Sequence, residues 1–111
     1  MVRVFTANPD DLLRAIEKAI ANGDITTWQE TSQGSFTHTP ASGQWKNQAW
    51  FRPSIDEKGI VFNIIRPKGS KVSKEAYAVY HGRFSEMLLA HFDADLSAIR
   101  LTALAAEGDL V

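Results

Sequence analysis

The residues best suited to chemistry in this chain are basic and aromatic, and they fall in one part of the sequence. Nine consecutive residues without an acid contain four cations, namely Arg66, Lys68, Lys71 and Lys74. Arg52 and Arg83 extend the set, and Trp50 supplies an aromatic ring beside Arg52. Because cations neutralise phosphates and aromatic faces stack on bases, this pattern predicts a site for nucleic acid or another phosphate ligand. The alternative is a solvated turn without a binding role, since exposed charges are common on loops.

A second polar group lies on the helix that the sequence predicts after this segment. His81, Arg83 and Glu86 are spaced so that they share an exposed stretch of helix near the basic residues. This spacing raises the hypothesis of a small enzyme. Three polar residues at helical spacing more often form a solvated helix face. We therefore assign no catalytic residue from the sequence.

Motifs for the common catalytic and cofactor sites are missing. The sequence contains no G-x-x-x-x-G-K, G-x-G-x-x-G or G-x-S-x-G pattern. It also contains no cysteine, which rules out thiol chemistry and disulfides and fits a reducing cytoplasm. The three histidines, His38, His81 and His91, are too widely spaced for a metal-ligand pattern. We expect no metal, no cofactor and a non-enzymatic function.

Length and charge place further limits on the function. A chain of 111 residues is one domain of common size, long enough to bury its own core. The net charge is −1, which argues against binding nucleic acid with the whole surface. The charge is uneven, because residues 44–74 carry +5 and residues 85–111 carry −4. With no apolar run of signal-peptide or membrane-spanning length, we expect a cytoplasmic protein that does not contact a membrane.

The clearest structural pattern is a β-hairpin over residues 45–67. Asp at the first turn position and Gly at the fourth, in the segment 56–59, favour a tight turn. With a loop of residues 57–59, Asp56 lies opposite Ile60, and Trp50 lies opposite Arg66. One face of the hairpin then carries a second apolar set, namely Trp50, Ile60, Phe62 and Ile64. Because exposed contiguous apolar surface marks interfaces, the leading hypothesis is a binding domain that contacts another protein, including a second copy of itself.

The remaining elements complete an α+β fold with the order β-α-β-β-β-β-α-β. Capping residues and apolar spacing predict helices over residues 9–22 and 74–91. Short β-prone runs predict strands at residues 2–6, 25–30 and 35–39. Residues 96–104 predict a closing strand, with a short helix as the alternative, and residues 105–111 predict a flexible tail. We therefore expect one domain over residues 1–111, with two consecutive hairpins in an antiparallel sheet of five to six strands.

One stretch of this sequence resembles a known group of proteins. The segment SKEAYAVYHGRFSEMLLAHFD, together with the preceding Trp-x-Arg-Pro hairpin, is similar to a family of short uncharacterised proteins from proteobacteria. The resemblance covers most of the chain. It implies a bacterial, cytoplasmic protein and implies no particular activity.

Overall fold

The computed structural model describes residues 1–111 as six strands, two α-helices and a 3₁₀ turn. The strands are β1 (Val2–Phe5), β2 (Trp28–Glu30), β3 (Phe36–His38), β4 (Trp50–Asp56), β5 (Gly59–Ile65) and β6 (Ala98–Leu101). The helices are α1 (Pro9–Ala21) and α2 (Lys74–Phe92), and the 3₁₀ turn at Asp93–Asp95 follows α2. The predicted α+β class and element order are confirmed, and the segment after α2 is a strand rather than the alternative helix.

Both helices begin where the sequence places their N-termini. Pro9 opens α1 after Asn8, with Asp10 and Asp11 in the first turn, where acids meet the positive end of the helix dipole. Ser73 caps α2 because its hydroxyl accepts a hydrogen bond from Ala76 N at 3.0 Å. Neither helix combines the length and the apolar character that crossing a lipid bilayer requires.

The strands form one antiparallel sheet in the order β2-β3-β4-β5-β1-β6. The four strands β2 to β5 therefore form a meander, and β1 is inserted between β5 and β6. Both helices pack on the same side of this sheet, which we call the inner face, and share one core with it. The strand side chains in that core are Val2, Val4, Trp28, Phe36, Phe51, Ile60, Phe62 and Ile64. No helix or strand packs a second layer on the opposite side, which we call the outer face. On that face the Asn63 side chain donates to Glu107 O at 3.0 Å and to Asp109 Oδ1 at 2.8 Å.

The register of the β4–β5 hairpin differs by one residue from the predicted one. Asp56 pairs with Gly59, so the loop has two residues, and Trp50 pairs with Ile65 rather than Arg66. A shift of one residue moves every side chain of one strand to the other face relative to its neighbour. The predicted apolar set was therefore wrong, because Ile60, Phe62 and Ile64 lie in the core with 0% exposure while Trp50 lies on the outer face.

An aromatic cluster fixes α2 on the inner face. The ring of Phe84 lies 4.7 Å from Phe51, 4.8 Å from Phe62 and 4.9 Å from Trp28, measured between centroids. Tyr80, also fully buried, donates its hydroxyl proton to Trp45 O and accepts from Gln48 N at 2.8 Å. The apolar side of α2 thus packs in the core, and the buried Tyr80 hydroxyl has hydrogen-bond partners.

The C-terminal segment is attached to the sheet, in contrast to the flexible tail that the sequence predicts for residues 105–111. Leu110 N donates to Ile64 O at 2.9 Å, and Leu110 O accepts from Arg66 N at 2.6 Å. Asp109 accepts hydrogen bonds from Asn63 Nδ2 at 2.8 Å and from Ile64 N at 3.1 Å. These bonds extend β5 beyond the point where β1 begins, and they place the C-terminal residues beside the first residue of the chain.

The turn glycine gives a direct test of the hairpin register. Gly59 has φ +147°, and a Cβ on it would collide with Val4 O of the neighbouring strand. We expect Gly59→Ala to lower the free energy of unfolding by about 2–4 kcal/mol. The alanine side chain strains the backbone at this φ and pushes against the paired strand β1. Gly34→Ala is the matched control, since Gly34 has φ +79° and open space around it, and it should cost about 1 kcal/mol. Urea unfolding of both variants measures the difference, and equal losses would contradict the register described above.

Candidate functional site

The outer face of the sheet carries a mixed basic and aromatic surface. Side chains alternate along a strand, so Trp50 and Arg52 of β4 project away from the helices, as do Arg3 and Phe5 of β1. Arg100 of β6 pairs with Arg3 and shares that side. We call these five residues the outer-face set. The sequence alone identified only Trp50 and Arg52.

The outer-face set runs diagonally across the sheet. Arg3 pairs with Val61 on one side and with Arg100 on the other, so these three side chains form a row across β5, β1 and β6. Arg52 pairs with Asn63, one step of the same-face repeat away from that row, or about 7 Å. Trp50 lies a further step along β4 in the same direction, and Phe5 lies one step beyond Arg3 in the opposite direction. The order along the diagonal is therefore aromatic, Arg, Arg, aromatic, with Arg100 beside it.

Two cations of this set are free of acidic partners. Arg3 donates to Asp56 Oδ2 at 2.8 Å, and that guanidinium is the main reason that the pKa of Asp56 lies below its usual value. Arg3 also stands 6.0 Å from the centre of the Phe5 ring. The other ion pairs of the chain join Met1 to Asp109 and Arg14 to Asp11. Arg52 and Arg100 are exposed and belong to no ion pair. Exposed unpaired guanidinium groups are available to an anion.

The predicted basic turn adjoins one end of the outer-face set. Arg66, Lys68 and Lys71 are exposed in the connection between β5 and α2, next to the end of the hairpin where Trp50 pairs with Ile65. These exposed cations therefore lie close in the chain to the Trp50 end of the outer-face set. Lys74 separates from this group, because it is the first residue of α2 and lines a cleft on the helix side of the sheet.

His81 and Arg83 lie apart and do not form the polar helix surface that the sequence raised. His81 is only 3% exposed, so its predicted exposed position was wrong. Arg83 is exposed and directs its Nη1 to His38 Nε2 at 3.0 Å, while His38 Nδ1 lies 2.8 Å from Thr27 O. Burial lowers the pKa of His38, and the nearby Arg83 charge adds to that effect. With His81 and Arg83 in different surroundings, no shared acid–base site results.

His81 belongs to a polar cluster that joins the two ends of the chain. The amine of Met1 lies within 3 Å of polar atoms of four side chains, namely Tyr77, His81, Thr102 and Asp109. Burial lowers the pKa of the amine, while hydrogen bonds, led by one from Ala106 N, hold the pKa of the buried Asp109 below its usual value. The cluster is satisfied internally, so its first role is to hold β1 and β6 together.

No family model, no curated protein and no solved structure matches this chain. The structure also contains no group of three or more His, Cys, Asp or Glu side chains arranged to hold a metal ion.

The buried His81 predicts a specific pH dependence of stability. Burial, and then the Met1 ammonium charge, lowers the pKa of His81 from 6.5 to about 4. The unfolded chain binds a proton near pH 6.5 that the folded state does not bind until about pH 4. The titration of His81 therefore leaves the free energy of unfolding unchanged above pH 6.5. It lowers that free energy by about 1–3 kcal/mol as the pH falls toward 4.

The variant His81→Gln isolates this effect, because glutamine keeps a hydrogen-bonding group and cannot titrate. Its free energy of unfolding, measured in urea at intervals from pH 7 to pH 4, should approach the wild-type value as the pH falls. His91→Gln, at an exposed position on the same helix, controls for the loss of an imidazole. A constant difference between wild type and His81→Gln over this range would show that His81 binds its proton equally in both states.

Proposed function

We propose that this chain is a non-enzymatic binding domain whose outer sheet face binds single-stranded nucleic acid. The observation that carries the proposal is the uncovered sheet face with its diagonal of Trp50, Arg52, Arg3 and Phe5, flanked by Arg100. Arginine guanidinium groups pair with phosphates, and aromatic rings stack on bases whatever the sequence. The nearby turn with Arg66, Lys68 and Lys71 supplies further positive charge at one end of the path.

The geometry favours a single strand over a duplex. Bases of a single strand are free to splay onto aromatic side chains, and an open antiparallel sheet presents such rings from a rigid support. Trp50 and Phe5 are half-buried, so each keeps part of its surface exposed. No helix or long loop rises from this face that would enter a DNA groove.

Contact with another protein, the leading hypothesis from the sequence, loses its main support in the structure. Three of the four apolar side chains expected on the second face of the hairpin, Ile60, Phe62 and Ile64, lie in the core instead. On the outer face, Val61 is only 9% exposed, and Trp50, Phe5 and Ile65 are half-buried. The exposed and unpaired Arg52 and Arg100 on this face favour an anionic partner. A polyanion matches the face better than a second copy does.

Fluorescence anisotropy with labelled twelve-nucleotide oligo-dT and oligo-U at low salt tests this proposal. The wild-type protein should bind, and its affinity should fall as salt rises, because cations on the protein displace counterions from the phosphates. Arg52→Ala and Arg100→Ala should each weaken binding about threefold to tenfold and reduce the salt slope by about one ion. Trp50→Leu should weaken binding about tenfold through lost stacking, with little change in the salt slope.

Lys18→Ala is the matched control, because it removes one exposed cation from the last turn of α1 on the helix side. It should leave both affinity and salt slope close to the wild-type values. Thermal unfolding verifies that each variant is folded. The proposal is refuted by an absence of binding at about 20 mM salt, by equal losses in Arg52→Ala and Lys18→Ala, or by tighter binding to a duplex of the same length. Sedimentation of the free protein shows whether the face pairs with a second copy instead.

A further inference from the structure

A cleft lies on the helix side of the molecule, between the first half of α2 and the segment that follows β6. We call it the α2 cleft. Its volume is about 550 Å³, which falls within the range of small-molecule sites. Residues 72–82 of the α2 side form one wall, and Leu101 to Ala105 with Val111 form the other. The sequence did not reveal this cleft, because residues 96–104 were expected to form only a closing strand or a short helix and residues 105–111 a flexible tail.

Exposed apolar side chains concentrate at the α2 cleft. Leu101 is 44% exposed, Leu104 is 82% exposed and Val111 is 43% exposed, and all three line the cleft. They are half of the large apolar side chains that the whole chain exposes. Three such residues around one concave site indicate a surface that buries apolar atoms of a ligand.

Polar groups at the floor of the cleft already have partners. The Tyr77 hydroxyl lies 2.8 Å from Thr102 Oγ1 and 2.9 Å from Leu104 O. His81 uses Nδ1 toward Tyr77 O at 2.7 Å and Nε2 toward the Met1 amine at 2.8 Å. Because the floor has little hydrogen-bonding capacity to spare, the part of a ligand that enters the cleft should be apolar.

Lys74 supplies the only charged side chain in the lining of the cleft. It is exposed and takes part in none of the ion pairs of the chain. No Asp or Glu side chain belongs to the lining, so no acidic side chain of the cleft pairs with Lys74. A ligand with an apolar body and one negative group therefore matches both features at once.

We propose that the α2 cleft binds an amphipathic organic carboxylate, with its hydrocarbon body against Leu101, Leu104 and Val111 and its carboxylate at Lys74. The site lies on the opposite side of the sheet from the outer-face set, so this proposal stands independently of nucleic-acid binding. Straight-chain fatty acids from six to twelve carbons, below their micelle concentrations, are suitable probes. Each added methylene buried in the cleft should raise affinity about fourfold until the cleft is full.

Gly82 offers a way to block the cleft without damaging the fold. It lines the cleft within α2, and a Cβ at this position meets no atom within 4 Å. The close packing that a helical glycine suggests is therefore absent here. Gly82→Leu should fill the cleft while also improving helix propensity. Ala78→Leu fills the same cleft from an exposed position one turn earlier and serves as a second variant.

Backbone amide chemical-shift titration with decanoate tests the proposal on the intact chain. The largest shifts should fall on residues 77–82 and 101–105, with saturation at submillimolar concentration. Gly82→Leu and Ala78→Leu should each weaken binding at least tenfold, whereas Ala90→Leu, an apolar addition at an exposed position elsewhere on α2, should not. Lys74→Gln should reduce the affinity for decanoate about fivefold and leave that for decanol unchanged.

Three outcomes would overturn the proposal. They are a lack of saturable shifts with any acid of the series, shifts that persist unchanged when Gly82→Leu and Ala78→Leu fill the cleft, and equal binding of decanoate and decanol in the wild type. The cleft variants leave the outer-face set unchanged. A failure of oligonucleotide binding therefore does not alter the results expected with the fatty acids. The two proposals can therefore fail separately.

Discussion

The two-residue turn between β4 and β5 is the constraint on which the rest of the structure depends. Asp56 Oδ1 accepts hydrogen bonds from Lys58 N at 3.0 Å and Gly59 N at 3.2 Å, which closes the turn. Gly59 then lets β1 approach closely enough for its backbone to pair there. This turn sets the pairing of every residue in the central hairpin, and so decides which side chains enter the core. A loop one residue longer would exchange the inner and outer sets.

The register explains why one face of the sheet is apolar and the other is charged. Two helices are enough to cover one side of a six-stranded sheet, and α2 fills that side with the Phe84 cluster. A second apolar face would have required a third layer or a partner. The chain instead places arginines on the uncovered side, with Arg3 paired to Asp56 and Arg52 unpaired. The outer face is therefore compatible with water while keeping two aromatic rings accessible.

The helices and the order of elements along the chain could be predicted from the sequence because their signals are local. Asn8-Pro9 and Ser73 mark helix starts, and alternation marks strands such as Val2-Arg3-Val4-Phe5. The register could not be predicted, because the choice of loop length depends on how Gly59 meets a strand fifty residues earlier. The α2 cleft and the buried position of His81 were missed for the same reason, since Asp109 and the Met1 amine are distant in sequence from α2.

Strand β6 contributes residues to both proposed sites and therefore connects them. Adjacent residues of a strand point to opposite sides, so Arg100 of β6 lies on the outer face while Leu101 lines the α2 cleft. β6 is an edge strand held by pairing with β1, and directly after it the Met1 amine donates to Thr102 Oγ1 at 2.9 Å. An edge strand with one neighbour is the part of a sheet most easily displaced. β6 therefore offers a direct route for coupling between the two ligands, and any such coupling must be reciprocal in free energy.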